Sequence, residues 1–325
     1  MVMNAHSVAP DIYQVRIPLP YLLNHVYCYL LRDSAGWAIV DTGLNWPEAR
    51  AAWEACFEQL EINPKTDIQK IVVTHMHPDH FGMAGWFQAQ SGAPVYLSAH
   101  DRDTALRVWY EWPDRSEEMR VFFQKCALSE DKIREVIAAG DDTAQLTTPL
   151  PDQLERIEGD TITIGDRNFR VIPAQGHSDG QVLFYHEPEG LMISGDQVLM
   201  KITPNIGVWP ETAPAPLARY LASLASLHEL PVKLALPGHK TVIHHWQARI
   251  KELQAHHEDR LALLQKAVTS NTTVFEAMCK IFDMSRLTSH EVRFALAETL
   301  AHLEYLRDAG RIGSQDTGDT FLFHG

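Results

Sequence analysis

The sequence of 325 residues predicts an α/β fold, because strand-like and helix-like segments alternate through most of the chain. The first strand signals are the apolar runs at residues 12–17, 26–31 and Trp37–Val40, and turn-forming residues 33–36 separate the last two. Pro47–Leu60 is predicted to be a helix, since it starts with proline and repeats apolar residues at helical spacing.

The alternation continues through the middle of the chain. A short buried strand is predicted at residues 71–73, a helical stretch at 81–90 and another strand at 94–97. Strand patterns return between residues 154 and 193. A helix at 216–229 then precedes a strand at 234–236. Helices that alternate with strands in this way are expected to pack on the faces of the β-sheets.

The length of the chain and a change of pattern near residue 250 predict two domains. Residues 1–250 form the larger α/β domain, with a helical insertion at about 100–150. Residues 251–325 form a small C-terminal helical domain, in which a long periodic helix at 290–309 is followed by two short apolar pieces. Three helices followed by a small hairpin predict a winged-helix-like module.

Charge and composition restrict the class of partner. The formal net charge is −14, and residues 251–325 carry 8 Lys and Arg against 11 Asp and Glu, so nucleic-acid binding is disfavoured. No stretch is apolar enough to span a membrane, and residues 1–20 lack the pattern of a signal peptide. The four cysteines are far apart and predict no disulfide framework, which favours a cytoplasmic location: Cys28, Cys56, Cys126 and Cys279.

Four potential metal ligands fall within six residues: His75, His77, Asp79 and His80. They follow directly on a predicted strand, where side chains project from a loop. His75 and His77 are two residues apart and therefore point to the same side of an extended backbone. The turn at Pro78 redirects the chain, so that Asp79 and His80 face a second point nearby.

Three further candidates occupy similar settings, each after a strand and a glycine: His177, Asp196 and His239. The glycine lets the backbone bend sharply at the strand end. Seven ligands divide naturally between two metal ions, and a carboxylate is a good bridge between them. Imidazole and carboxylate ligands without thiolate suit two divalent ions, with zinc favoured and iron or manganese as alternatives.

The run from Thr74 to His80 resembles the signature of the metallo-β-lactamase superfamily, in the branch that includes glyoxalase II and the acyl-homoserine lactonases. The motifs around His177, Asp196 and His239 are similar to its later metal motifs, in the same order, and residues 41–43 are similar to its early DTG turn. The resemblance covers residues 10–245 and implies an αββα sandwich with the site at one edge. The tail resembles the winged-helix extension of some members.

The resemblance also implies a role for each ligand. His75, His77 and His177 would hold the first metal. Asp79, His80 and His239 would hold the second, with Asp196 bridging both and Asp79 available as a proton acceptor. Two features depart from particular relatives: Gln181 replaces the final His of the glyoxalase II motif, and the pairing of Asp79 with His80 argues against antibiotic hydrolysis.

These observations predict a hydrolase that uses a metal-bridging hydroxide to cleave an ester, thioester or lactone of a small-molecule substrate. The alternatives are a phosphodiesterase or ribonuclease of the same fold, a partner-binding regulatory protein that retains the metal site, and redox chemistry at iron. Aromatic residues between Trp109 and Phe123 line an acyl pocket, form a lid, pack the insertion together or bury a homodimer contact. His302 and Tyr305 are the candidates to close over substrate from the C-terminal domain.

Overall fold

A computed structural model describes residues 5–325 and contains a sheet of seven strands in sequential order. The first four strands pair antiparallel, and the fourth to seventh pair parallel. The strands of this first sheet are β1 (Ala5–Ala9), β2 (Ile12–Pro18), β3 (His25–Arg32), β4 (Trp37–Val40), β5 (Ile68–Val72), β6 (Val95–Leu97) and β7 (Leu154–Arg156). The sequence patterns predicted β2 to β6 and a return of strands from residue 154, where β7 begins, whereas β1 is an edge strand that the patterns did not indicate.

The second sheet has five strands in the order β12-β11-β10-β9-β8. Neighbouring strands of this sheet pair antiparallel, except for β11 and β12. These two strands are parallel, and the crossover connection between them contains a helix. The strands of this second sheet are β8 (Thr161–Ile164), β9 (Arg167–Pro173), β10 (Val182–His186), β11 (Leu191–Gly195) and β12 (Leu234–Pro237).

The two sheets pack face to face through alternate side chains of their strands. In β3, Tyr29 and Leu31 join the core between the sheets, whereas the intervening Leu30 faces the other side of its sheet. In β10, Phe184 belongs to the same central core and Leu183 faces outward. Both faces of the central strands β3, β4, β10 and β11 are buried, so these strands have continuous apolar sequences rather than an alternation of apolar and polar residues.

Helices cover the two outer faces. Trp53 of α1 and Phe87 of α3 pack on the first sheet, and Leu224 of α7 and Leu253 of α8 pack on the second. The layers therefore follow the predicted order αββα. The helices are α1 (Pro47–Leu60), α2 (Pro78–Phe81), α3 (Ala84–Ser91), α4 (Ala99–Ala105), α5 (Ser116–Lys125), α6 (Glu130–Gln145), α7 (Pro216–His228), α8 (Trp246–Ala267), α9 (Val274–Ile281) and α10 (Ser289–Asp308).

The C-terminal region contains α9, α10 and a three-stranded antiparallel sheet of β13 (Thr272–Thr273), β14 (Gly313–Asp316) and β15 (Phe321–His324). The predicted boundary at residue 250 lies inside α8, and apolar side chains such as Leu296 share one core with Met192 of the second sheet. The two-domain division and the winged-helix type stay predictions. Among residues 5–325, no helix has the length and apolar character that crossing a membrane requires.

Candidate metal centre

The seven predicted ligands lie together at one edge of the sandwich. His75 and His77 follow β5 of the first sheet, and Asp79 and His80 lie on the single turn of α2. The other three come from the second sheet, after β9, β11 and β12: His177, Asp196 and His239. Ligands distant in sequence thus meet where the ends of the two sheets converge.

The side chains form two groups that share a centre. Within each of the groups His75–His77–His177 and Asp79–His80–His239, the potential ligand atoms all lie within 4.8 Å of one another. In the first, Nδ1 of His77 lies 2.9 Å from Nε2 of His177. In the second, Nε2 of His239 lies 3.1 Å from Oδ2 of Asp79.

The Asp196 carboxylate lies between these two groups. Its Oδ2 atom is 3.7 Å from Nε2 of His177 and 3.2 Å from Nε2 of His239. Its Oδ1 atom is 3.3 Å from Nε2 of His80. A carboxylate placed this way has oxygens available to both groups, which is the arrangement expected of a bridging ligand.

Four of the five histidines hold Nδ1 against a hydrogen-bond acceptor and turn Nε2 toward the centre. The Nδ1 atoms lie 2.8–3.0 Å from the acceptors: Thr74 Oγ1 for His75, Asp41 Oδ2 for His80, the Asn205 carbonyl for His177 and the His25 carbonyl for His239. An acceptor at Nδ1 holds the proton there and leaves Nε2 with a free lone pair, which is how metal-binding histidines are usually oriented.

The chemistry of the centre fits divalent cations. Nε2 of His75, Nε2 of His80 and Oδ1 of Asp196 are buried and have no hydrogen-bond partner among the described residues. Buried polar atoms of this kind are costly without a partner. Burial lowers the pKa of His239, but the negative charges and hydrogen bonds of Asp196 and Asp79 have the larger effect and raise that pKa to about 10. The carboxylates therefore stabilise positive charge within the site.

Two glycines next to ligands are required for different reasons. Gly176 has φ +121° and packs against Tyr220, so the sharp bend that the sequence predicted before His177 is present. Gly238 does not have positive φ, but a Cβ atom there would collide with Asp196 and His80. Close approach, rather than backbone conformation, therefore accounts for the glycine before His239.

Two buried residues that the sequence patterns did not single out as site residues support the ligand loops. Asp101, in the first turn of α4, accepts hydrogen bonds from the Met76 amide, the Gly180 amide and the Ser178 hydroxyl at 2.6–2.9 Å. Gln181, which departs from the glyoxalase II motif, accepts a bond from the Asp196 amide. Both positions hold loops that carry ligands, and only the fold brings them to those loops.

A cavity of about 340 Å³ opens onto the metal-ligand cluster and is bordered by His77, Asp79, His177, Asp196 and His239. Most of its remaining wall is apolar or aromatic. The main contributors are Leu22 from the loop after β2, Trp109 and Trp112 from the insertion, Trp209 from the loop after β11, and Phe294 of α10. Of the roles left open for the insertion, lining a pocket is therefore one that the structure supports.

The C-terminal region contributes to this cavity through a different part of α10 from the one predicted. His290, Arg293 and Phe294, in the first two turns, border the cavity. His302 is fully buried against His257 of α8 and does not border it, and neither does Tyr305. Helical periodicity identified α10 but did not reveal which of its turns faces the site.

Comparisons with known proteins agree with this geometry. The family model "Metallo-beta-lactamase superfamily" matches residues 22–239, and the model "Metallo-beta-lactamase-like, C-terminal domain" matches residues 261–323. A solved metallo-beta-lactamase family protein from Thermus thermophilus is 33% identical, with a TM-score of 0.87 over 98% of this chain and 99% of that one.

Two curated proteins are also similar. The Bacillus subtilis protein named "Probable metallo-hydrolase YqjP" is 26% identical, covering 96% of this chain and 97% of its own. An atrochrysone carboxyl ACP thioesterase of Aspergillus fumigatus is 23% identical over 69% of this chain and 53% of its own length. With the αββα layers, the ligand motifs in order and a family model over most of its length, this chain belongs to the metallo-β-lactamase superfamily of metallo-hydrolases.

Proposed function

We propose that the protein is a dinuclear metal-dependent hydrolase that cleaves an ester, thioester or lactone bond of an acyl substrate. His75, His77 and His177 would hold one divalent ion, and Asp79, His80 and His239 would hold the other. Asp196 would bridge them. Zinc is the favoured metal because the donors are imidazole and carboxylate groups, although iron or manganese accepts the same set.

When bound, the two ions would supply an activated water and a Lewis acid for the substrate carbonyl oxygen. The protein groups then have separate tasks. The backbone and side-chain acceptors at Nδ1 keep the histidine rings oriented, and the apolar cavity wall excludes bulk water from the acyl group. The Asp79 carboxylate, with 18% of its side chain exposed against 8% for Asp196, borders the cavity and would accept a proton from the attacking water.

The observation that carries the choice of acyl substrate is the apolar cavity beside the metal ligands. Its volume of about 340 Å³ and its aromatic wall suit an acyl group better than a phosphodiester backbone. A net charge of −14 also disfavours an extended polyanion. The thioesterase name of the Aspergillus fumigatus relative agrees with cleavage of a carbonyl substrate.

The proposal is tested with four substrates: a thioester, a lactone, an aryl ester and an aryl phosphodiester. Each is offered to the zinc-loaded protein, to the chelator-treated protein and to His77→Ala. Metal-dependent cleavage of at least one carbonyl substrate is expected, with loss of activity in the other two samples. Cleavage of the phosphodiester alone would overturn the proposal in favour of a phosphodiesterase.

A further inference from the structure

Arg293 is a buried cation in the wall of the cavity, and no carboxylate of the described residues pairs with it. Its residue exposure is 9%, and burial lowers the pKa of its guanidinium to about 10, so it remains charged at neutral pH. Nη2 lies 3.3 Å from Thr143 Oγ1 and 3.2 Å from His290 Nδ1, both neutral groups. Nε is buried without a partner.

The carboxylates near Arg293 are engaged elsewhere. Glu291 closes the capping box of α10 with Thr288. Glu211, which also borders the cavity, pairs with Arg115. The Asp141 carboxylate accepts a hydrogen bond from the Trp112 indole at 2.9 Å. A buried charge is costly unless it is paired. An anion that enters the cavity and pairs with Arg293 would remove this cost.

The surroundings restrict what that anion can be. The Arg293 guanidinium packs over the Phe294 ring with its Cζ 4.8 Å from the ring centroid, and Trp112 borders the same space. Arg115 is the other arginine in the cavity wall, and its charge is already neutralised by Glu211. A single unpaired guanidinium in an apolar wall suits one carboxylate, which would accept a charge-assisted hydrogen bond from it.

Arg293 and the metal ligands border one continuous space. The Tyr21 and His290 rings stack at 3.8 Å, and both rings border the cavity. The charges of Asp79 and Arg293 both influence the pKa of each ring, so the stacked pair lies near both residues. A substrate held at the metal ligands by its reacting carbonyl therefore has an apolar passage along which a second charged end reaches Arg293.

We propose that Arg293 binds a second carboxylate of the substrate, so that the enzyme acts on acyl derivatives of dicarboxylic acids. This inference rests on the proposed function, because the scissile carbonyl is assigned to the metal centre. The C-terminal region thereby determines substrate specificity through the first turns of α10.

The test uses paired aryl esters of equal chain length, over about four to eight carbons, in which one member ends in carboxylate and the other in methyl. At the best length, kcat/KM of the zinc-loaded wild type should favour the carboxylate member by about 10- to 100-fold, the range of a charge-assisted hydrogen bond. In Arg293→Gln the ratio should fall to about one, and Arg293→Lys should keep part of it. A wild-type ratio near one at every length overturns the proposal, whatever the variants do.

A matched control removes the neighbouring closed ion pair with Arg115→Gln/Glu211→Gln, which should keep the ratio well above one. A second readout is calorimetric binding of a dicarboxylate and of the matching monocarboxylate to the same zinc-loaded proteins. If wild type binds the dicarboxylate more tightly than the monocarboxylate and Arg293→Gln does not, the assignment of Arg293 is supported even if no ester is cleaved. In that case only the proposed hydrolysis fails. Equal binding of both acids, with ester cleavage that shows no preference, leaves the hydrolase and overturns the role of Arg293.

Discussion

Oδ2 of Asp41 lies 2.8 Å from Nδ1 of His80, so an aspartate outside the ligand cluster fixes the ring of a ligand within it. The same side chain accepts a 2.7 Å hydrogen bond from the Thr74 amide through Oδ1. Asp41 follows β4 and has φ +58°, in the turn whose sequence is similar to the DTG turn of the family. One carboxylate therefore joins β4 to the loop after β5 and orients His80.

Replacement Asp41→Asn should weaken metal binding. The amide can still accept from Thr74 through oxygen, but its NH2 group then faces His80 Nδ1 and favours the tautomer whose Nε2 carries the proton. Zinc affinity, measured against a competing chelator, should fall by about 10- to 100-fold. Asp33→Asn, in an exposed turn, is the control, and equal affinities of Asp41→Asn and wild type would contradict the role of Asp41.

Asp101→Asn should lower activity through the ligand loops rather than through substrate contact. The carboxylate accepts bonds from the Met76 and Gly180 amides and from Ser178, and an asparagine loses part of this set. Metal affinity and kcat should each fall by about 10-fold or more, as for other residues that orient ligands. Asp103→Asn, on the exposed side of the same helix, is the matched control, and the assignment is wrong if both variants behave alike.

The buried pair His257 and His302 should make the protein sensitive to acid. His302 donates through Nδ1 to the Glu298 carbonyl and accepts at Nε2 from His257. Burial, together with the charge of Arg260 and neighbouring histidines, lowers the pKa of His257 to about 3 and that of His302 to about 4. In the unfolded chain both histidines have a pKa of about 6.5, so between about pH 6.5 and pH 3–4 the unfolded chain binds more protons than the folded protein. The free energy of unfolding is therefore at its full value above about pH 6.5 and falls as the pH decreases toward 3–4.

The measurement is the free energy of unfolding between pH 4 and pH 7, in the presence of chelator so that metal release does not contribute. The double variant His257→Gln/His302→Gln should show a shallower decline with acid than wild type. His244→Gln, at an exposed position, should retain the wild-type slope. Identical slopes for all three proteins would show that this pair does not set the acid response.

The sequence predicted the ligands because they are local: His75 to His80 occupy one short loop, and each remaining ligand follows a strand. It did not predict Asp101 or the Asn205 carbonyl as supports of the site, because each reaches its partner from a distant segment. The C-terminal helix was predicted nearly to its ends, since the periodicity of its apolar residues is a sequence feature. Which turn borders the cavity depends on how α10 packs, and this placed Arg293 rather than His302 at the site.

The measurement that tests the central claim most directly is the metal content of the purified protein by elemental analysis, compared between wild type, His77→Ala and His239→Ala. Each substitution removes one ligand from a different group of the centre. Two divalent ions per chain are expected for wild type, and each variant should bind less metal while keeping its circular dichroism spectrum. A wild-type protein that binds no metal after incubation with zinc, iron or manganese would contradict the account.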